Sequence, residues 1–165
     1  DIDCDAWTAV ENAGVDFRRC CVEAFNEVQR LSEFDGGSVT ACEIAILLTT
    51  DAKLQGLNLQ FRGVDKPTNV LSFSTRNIDR PQLVKGQPVF LGDIAIAAET
   101  VKREAHEQNK TVSDHLSHMI VHGTLHLLGY DHEDEEEAQK METLEIKILA
   151  TQNIADPYAA TELMS

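Results

Sequence analysis

His122-Gly123-Thr124-Leu125-His126-Leu127-Leu128-Gly129-Tyr130-Asp131-His132 is the stretch on which the reading of this chain turns. The apolar residues leading into it, from about Ser113, recur at helical spacing and stop at Leu128. Gly129 then offers the left-handed conformation in which a chain commonly leaves a helix. His122 and His126 are four residues apart, so both project from one face of that helix. The turn at Gly129 brings His132 back towards them. Three neutral imidazoles converging from a helix and the turn behind it leave one coordination position open, the arrangement of a catalytic rather than a structural zinc. A divalent ion held there acts as a Lewis acid on a carbonyl or phosphoryl oxygen.

The spacing H-x3-H-x2-G-x2-H is shared with the metzincin peptidases. Those enzymes carry a glutamate general base directly after the first histidine, and here that position is Gly123. Peptide hydrolysis by that route therefore lacks its base. His115 and His118 fall with His122 and His126 within about 80° of one another on an ideal helix. They read either as an extension of the active groove towards a phosphate or as a partly exposed polar stripe. His106 has no such company and reads as a surface residue. The acids from Glu133 to Glu137 read as a solvated helix start, with charge well placed for the helix dipole; the competing reading is a second metal site.

Around this stretch the chain has 165 residues, 42% of them apolar and 25% charged. That length fits one domain with a real core and excludes two independent catalytic domains. The sequence contains no apolar run near the ~18–20 residues of a membrane span and does not open on a basic-then-apolar leader. The net charge of −14 is unevenly spread: residues 1–50 carry 10 acids and 3 bases, residues 51–110 carry 7 and 9, and residues 111–165 carry 11 and 2. If a nucleic acid binds, the middle third is its electrostatic footprint. Cys4, Cys20, Cys21 and Cys42 form no C-x-x-C pair. They read as small, reduced core residues, which favours a cytoplasmic location.

Hydrophobic periodicity and punctuation give the remaining elements. Residues 1–7 alternate weakly and suggest a strand. Val15 to Leu31 is helical, Asp35-Gly36-Gly37-Ser38 a turn, and Cys42 to Leu48 a buried strand. Thr50 or Asp51 caps a short helix to about Gln60. Asn69 to Phe73 and Leu91 to Ala97 are strands, with a loop or hairpin arm over 76–90 between them. Helices follow over Glu99–Asn109, Ser113–Leu128 and Asp134–Ala150. The expected fold is α+β: a small mixed sheet of about four strands packed by about five helices, with the metal site on a helix and its turn. The domain covers residues 1–158, and 159–165 form a tail.

The basic middle third holds the other candidates. Arg62 and Lys66 flank Gly63, and Asn69 and Ser72 follow on a strand. Arg62 either clamps a phosphate and stabilises developing negative charge or pairs with an acid such as Asp65. Lys66 and Arg76 are candidates for tracking a nucleic-acid backbone, on charge alone. Asp93 is an odd residue in an apolar strand. It either supports a ligand histidine through the free ring N–H or makes an ordinary strand-end hydrogen bond.

Together, HGTLHLLGYDH at 122–132, LNLQFRGVDKPTNVLSF at 57–73 and LGDIAIA at 91–97 resemble the bacterial YbeY family of metal-dependent endoribonucleases. The resemblance covers about residues 40–158, including the acidic helix start at Asp134 and Asp156-Pro157-Tyr158. It implies one divalent ion per chain, zinc, on His122, His126 and His132, and roles for Arg62 and His122 in cleaving single-stranded RNA. Lys66, Asn69, Ser72 and Arg76 stand beside these as candidate substrate contacts, read from the basic segment itself and not from the resemblance. It implies work in ribosomal RNA processing, notably at the small-subunit 3′ end, and in ribosome quality control. Its implied partners are the small ribosomal subunit with one of its platform proteins, the GTPase Era and other ribonucleases. By ligand chemistry alone, three histidines also suit nickel, copper or iron. Two other readings stand beside this one: a metal-dependent hydrolase of a small molecule or peptide, and a non-enzymatic ribosome assembly factor.

Overall fold

A computed structural model of the chain describes residues 15–31, 42–75 and 89–159. Its elements are α1 (Phe17–Arg30), β1 (Cys42–Thr49), α2 (Asp51–Arg62), β2 (Val70–Ser74), β3 (Val89–Ala97), α3 (Ala98–Glu107), α4 (Val112–Leu127) and α5 (Glu135–Ala150). Hydroxyl and carboxylate caps start most of the helices. Asp16, Thr50, Thr111 and Asp134 each accept a hydrogen bond from the backbone N–H three residues on, which satisfies donors the helix leaves orphaned.

The sheet is mixed, with β3 in the centre, β1 parallel on one side and β2 antiparallel on the other. Three strands are thus present among the described residues, where the sequence suggests about four. The strand expected over residues 1–7 and the turn expected at 35–38 lie outside the described residues, as do Cys4, Arg76 and nearly all of the 76–90 arm. β3 starts two residues earlier than the apolar pattern indicates, because Val89 and Phe90 pair with Cys42 and Glu43. Leu91 is then the extra residue of a bulge, since Ile44 next faces Gly92. Gly92 has φ +141°, and a Cβ there would lie 2.1 Å from the Phe73 carbonyl oxygen. The close crossing of β2 against the bulge therefore requires glycine.

The two faces of β3 differ. Ile94 and Ile96 join the main core with α4, while Ala95 and Ala97 pack on the other face with Leu54 of α2. α4 touches β2, β3, α1, α3 and α5, which is why it is buried almost all round despite its histidines. From His115 to Leu128 every residue is buried except His122 and His126. The sheet-facing contact is tightest at Gly123, where a Cβ would meet the Ile94 side chain at 3.0–3.1 Å and the Ser72 hydroxyl at 3.1 Å. The residue that a metzincin peptidase would make its base is here the point where the helix presses on the sheet. Gly123→Ala should destabilise the protein by about 1–3 kcal/mol through overpacking, read as a lower midpoint in urea unfolding. Cys20 is buried, Cys21 and Cys42 are partly buried, and all three are free thiols.

Candidate metal centre

The end of α4 builds the site. The Tyr130 N–H bonds the Leu125 carbonyl (3.0 Å) and the Gly129 N–H bonds the His126 carbonyl (3.0 Å), with Gly129 at φ +108°. This pair of bonds is the Schellman closure of a helix. It aims the Tyr130 carbonyl back at the last turn, where His126 Nδ1 donates to it at 2.9 Å. A carbonyl can only accept, so the His126 proton sits on Nδ1 and its Nε2 carries the lone pair. Burial pushes the His126 pKa down to about 4, with the neighbouring His122 acting in the same direction, so the ring is neutral near pH 7.

His122 is fixed from the other side. Its Nδ1 lies 2.5 Å from Oε1 of Glu145 on α5. Burial favours the neutral acid of Glu145, but hydrogen bonds from His118 and His122 outweigh it and hold the carboxyl down at about 2. The carboxylate accepts, so a neutral His122 also presents a bare Nε2. The two Nε2 atoms are 3.0 Å apart. With both rings neutral, two lone pairs face each other across that gap, and a proton or a metal cation between them resolves the contact. His132 approaches from beyond the turn, its ring centre 5.0 Å from that of His126 and 5.7 Å from that of His122. One ligand atom from each of the three histidines falls within 4.8 Å of the others. The donor set is imidazole only, which suits a borderline-soft divalent ion. The residues fit the metal that the sequence implies.

A second group, His118, His122 and Glu145, also brings ligand atoms within that distance and could hold an ion. Its contacts at 2.5 and 2.8 Å are those of charge-assisted hydrogen bonds, and Glu145 is fully buried.

The histidines open onto a groove of about 610 Å³ that Asn58, Arg62, Asn69 and Ser72 also line. Arg62 ends α2, and Gly63 in the left-handed conformation closes the helix behind it. Its Nη2 donates to the Ser72 carbonyl (3.0 Å), and the Ser72 hydroxyl donates to the Gly123 carbonyl beside His122 (3.2 Å). Asp65 accepts from the Gln55 amide instead (2.8 Å). The Asn69 amide is committed to the Glu104 carboxylate at 3.1–3.2 Å, and Lys66 is exposed past the Gly63 turn.

Three sequence readings change here. Asp93 does not reach a ligand histidine. The alternation of β3 puts it on the side of Ala95 and Ala97, away from α4, and it is exposed. The carboxylate on a ligand histidine is Glu145. His115 and His118 are neither groove nor exposed stripe. They are 2% and 6% exposed, and each donates to a buried or half-buried glutamate: His115 to Glu104 at 2.7 Å and His118 to Glu145 at 2.8 Å. Burial lowers the His118 pKa. His106 is exposed, as expected.

Comparisons with known proteins place the chain in a family. A family model described as Endoribonuclease YbeY matches residues 6–153. The chain belongs to the YbeY family. A relative named Endoribonuclease YbeY from Paramagnetospirillum magneticum is 48% identical over 159 residues, covering 96% of this chain and 93% of the relative. Another of that name, from Nitrobacter winogradskyi, is 48% identical over 161 residues, covering 98% and 81%. A third, from Rhodopseudomonas palustris, is 46% identical over 165 residues, covering 99% and 82%. Membership of the YbeY family covers nearly the whole chain, including the α1 region where the sequence motifs are silent.

Proposed function

We infer that the chain is a metal-dependent endoribonuclease that cuts single-stranded RNA in ribosomal RNA processing, with His122, His126 and His132 holding one divalent ion, zinc. The observation that carries this reading is the pair of Nε2 atoms 3.0 Å apart on a groove that Arg62 also lines. When bound, the ion supplies Lewis acidity beside the phosphodiester. Arg62 binds a non-bridging oxygen and offsets the charge that builds on phosphorus. Ser72 holds the guanidinium through its carbonyl and ties β2 to α4 through its hydroxyl. Lys66 and Arg76 extend the positive track along the backbone, and Asn69 braces the wall through Glu104.

The net charge of −14 argues for help in reaching RNA. Recruitment to the small ribosomal subunit, through a platform protein or the GTPase Era, supplies the local concentration that the chain's own field opposes. None of the helices among the described residues is long and apolar enough to cross a membrane, and free thiols suit the cytoplasm. The isolated protein should bind single-stranded RNA weakly, with affinity falling between 50 and 200 mM salt as the gain from counterion release shrinks. Tight, salt-independent binding in a filter assay contradicts a track made of a few phosphate contacts.

The deciding experiment is cleavage of an end-labelled single-stranded RNA by metal-loaded protein beside His122→Ala and Arg62→Ala proteins purified identically. Cutting by the wild type that both variants lose places the activity in this groove. No cutting by metal-loaded wild type, with the small subunit also supplied, overturns the nuclease reading in favour of an assembly role.

A further inference from the structure

Glu145 is a charged residue in the apolar stripe of α5, among Met141, Leu144, Ile148 and Leu149, and it is fully buried. Burying a carboxylate is costly unless it is paired and hydrogen-bonded. Here every contact runs towards the metal centre. Oε1 accepts from His122 Nδ1 at 2.5 Å. Oε2 accepts from His118 Nε2 at 2.8 Å and from the Tyr158 hydroxyl. His118 sits one helical turn before His122, and Tyr158 lies on its ring, edge to face, at 5.5 Å between centres. The segment carrying Tyr158 is itself fastened, because Lys110 Nζ donates to the Pro157 carbonyl at 2.9 Å and Pro157 is buried.

We propose that Glu145, held in place by His118 and Tyr158, is a positioning residue that locks His122 with its proton on Nδ1 and its Nε2 lone pair aimed into the groove. A neutral imidazole has one ring proton and two places for it. A carboxylate on Nδ1 removes that choice, fixes the ring orientation and makes Nε2 a stronger donor to a metal. His126 is set by a backbone carbonyl, which folding supplies at no cost in charge. His122 lies in mid-helix with no free carbonyl in reach, so a side chain from α5 does the same work. The C-terminal segment past α5 is thereby part of the metal centre, through one phenol. This inference rests on the metal reading above, and its test reads metal affinity rather than cleavage.

Metal-free protein is titrated with Zn²⁺ against a chromophoric chelator, and with Co²⁺ by visible absorption, for wild type, Glu145→Gln, Tyr158→Phe and His132→Ala. Glu145→Gln should bind Zn²⁺ about 10–100-fold more weakly, the range for loss of an outer partner, with a shifted Co²⁺ band. Tyr158→Phe should lose about 3–10-fold, a smaller share of the same outer-partner effect. His132→Ala should lose far more than either. Metal-free Tyr158→Phe should melt below wild type, having lost one donor to a buried carboxylate, but stay folded, and that variant alone carries the test if Glu145→Gln does not fold. Wild-type affinity in Tyr158→Phe and in any folded Glu145→Gln overturns the proposal while leaving the metal reading intact. Abolished binding in Glu145→Gln with binding kept in His132→Ala also overturns it, because the ion then sits on His118, His122 and Glu145. A wild type that binds neither ion removes the proposal and the metal reading together.

Discussion

His126→Ala protein should leave purification essentially free of divalent metal and should cut no RNA, while its metal-free form melts close to the wild type. The affinity loss should exceed the ~10–100-fold that an outer partner contributes, because a ligand itself is removed and two imidazoles remain. His126 is one of only two residues between His115 and Leu128 that are not fully buried, so alanine there empties no fully buried position. It also removes one of two facing lone pairs, which relieves the metal-free fold. Elemental analysis for metal content, chelator competition and calorimetry check the three parts. Full metal occupancy in this variant would place the ion elsewhere.

Arg62→Ala should lower the single-turnover cleavage rate by about 10²–10³-fold, the range for losing one preorganised donor to a charged transition state. Metal content and stability should stay near wild type. Arg62 lines the groove without being a histidine ligand and makes its hydrogen bond at an exposed position to a carbonyl, so little of the fold depends on it. Arg62→Lys should recover only part of the rate, since an ammonium keeps the charge but not the planar, two-pronged geometry. The separation between rate and metal content identifies the role. A matching fall in both would make Arg62 a structural support of the metal centre.

The local signals in the sequence were the reliable ones. Thr50 and Asp134 cap the helices that their positions announce, Gly129 turns the chain as glycine there should, and the four-residue interval of His122 and His126 sets them side by side. What could not be read depended on contacts between distant elements. The burial of His115 and His118 follows from Glu104 and Glu145, 11 and 27 residues away. The face taken by Asp93 follows from which side of β3 the central helix covers, and alternation alone is symmetric about that choice. Glu145 did leave a trace: it occupies an apolar phase of α5, between Leu144 and Ile148. A lone carboxylate in such a stripe asks for a buried donor, and the histidine row of α4 is where that donor is found.

The closure of α4 has a kinetic consequence. The amides of Gly129 and Tyr130 and the ring of His126 are held by one turn. Fraying of that turn frees both amides to exchange with deuterium and also releases the carbonyl that holds the His126 proton on Nδ1. Solvent exchange at these two amides and escape of a bound ion are then reports of a single opening event, well below global unfolding in free energy. A loaded centre slows both together.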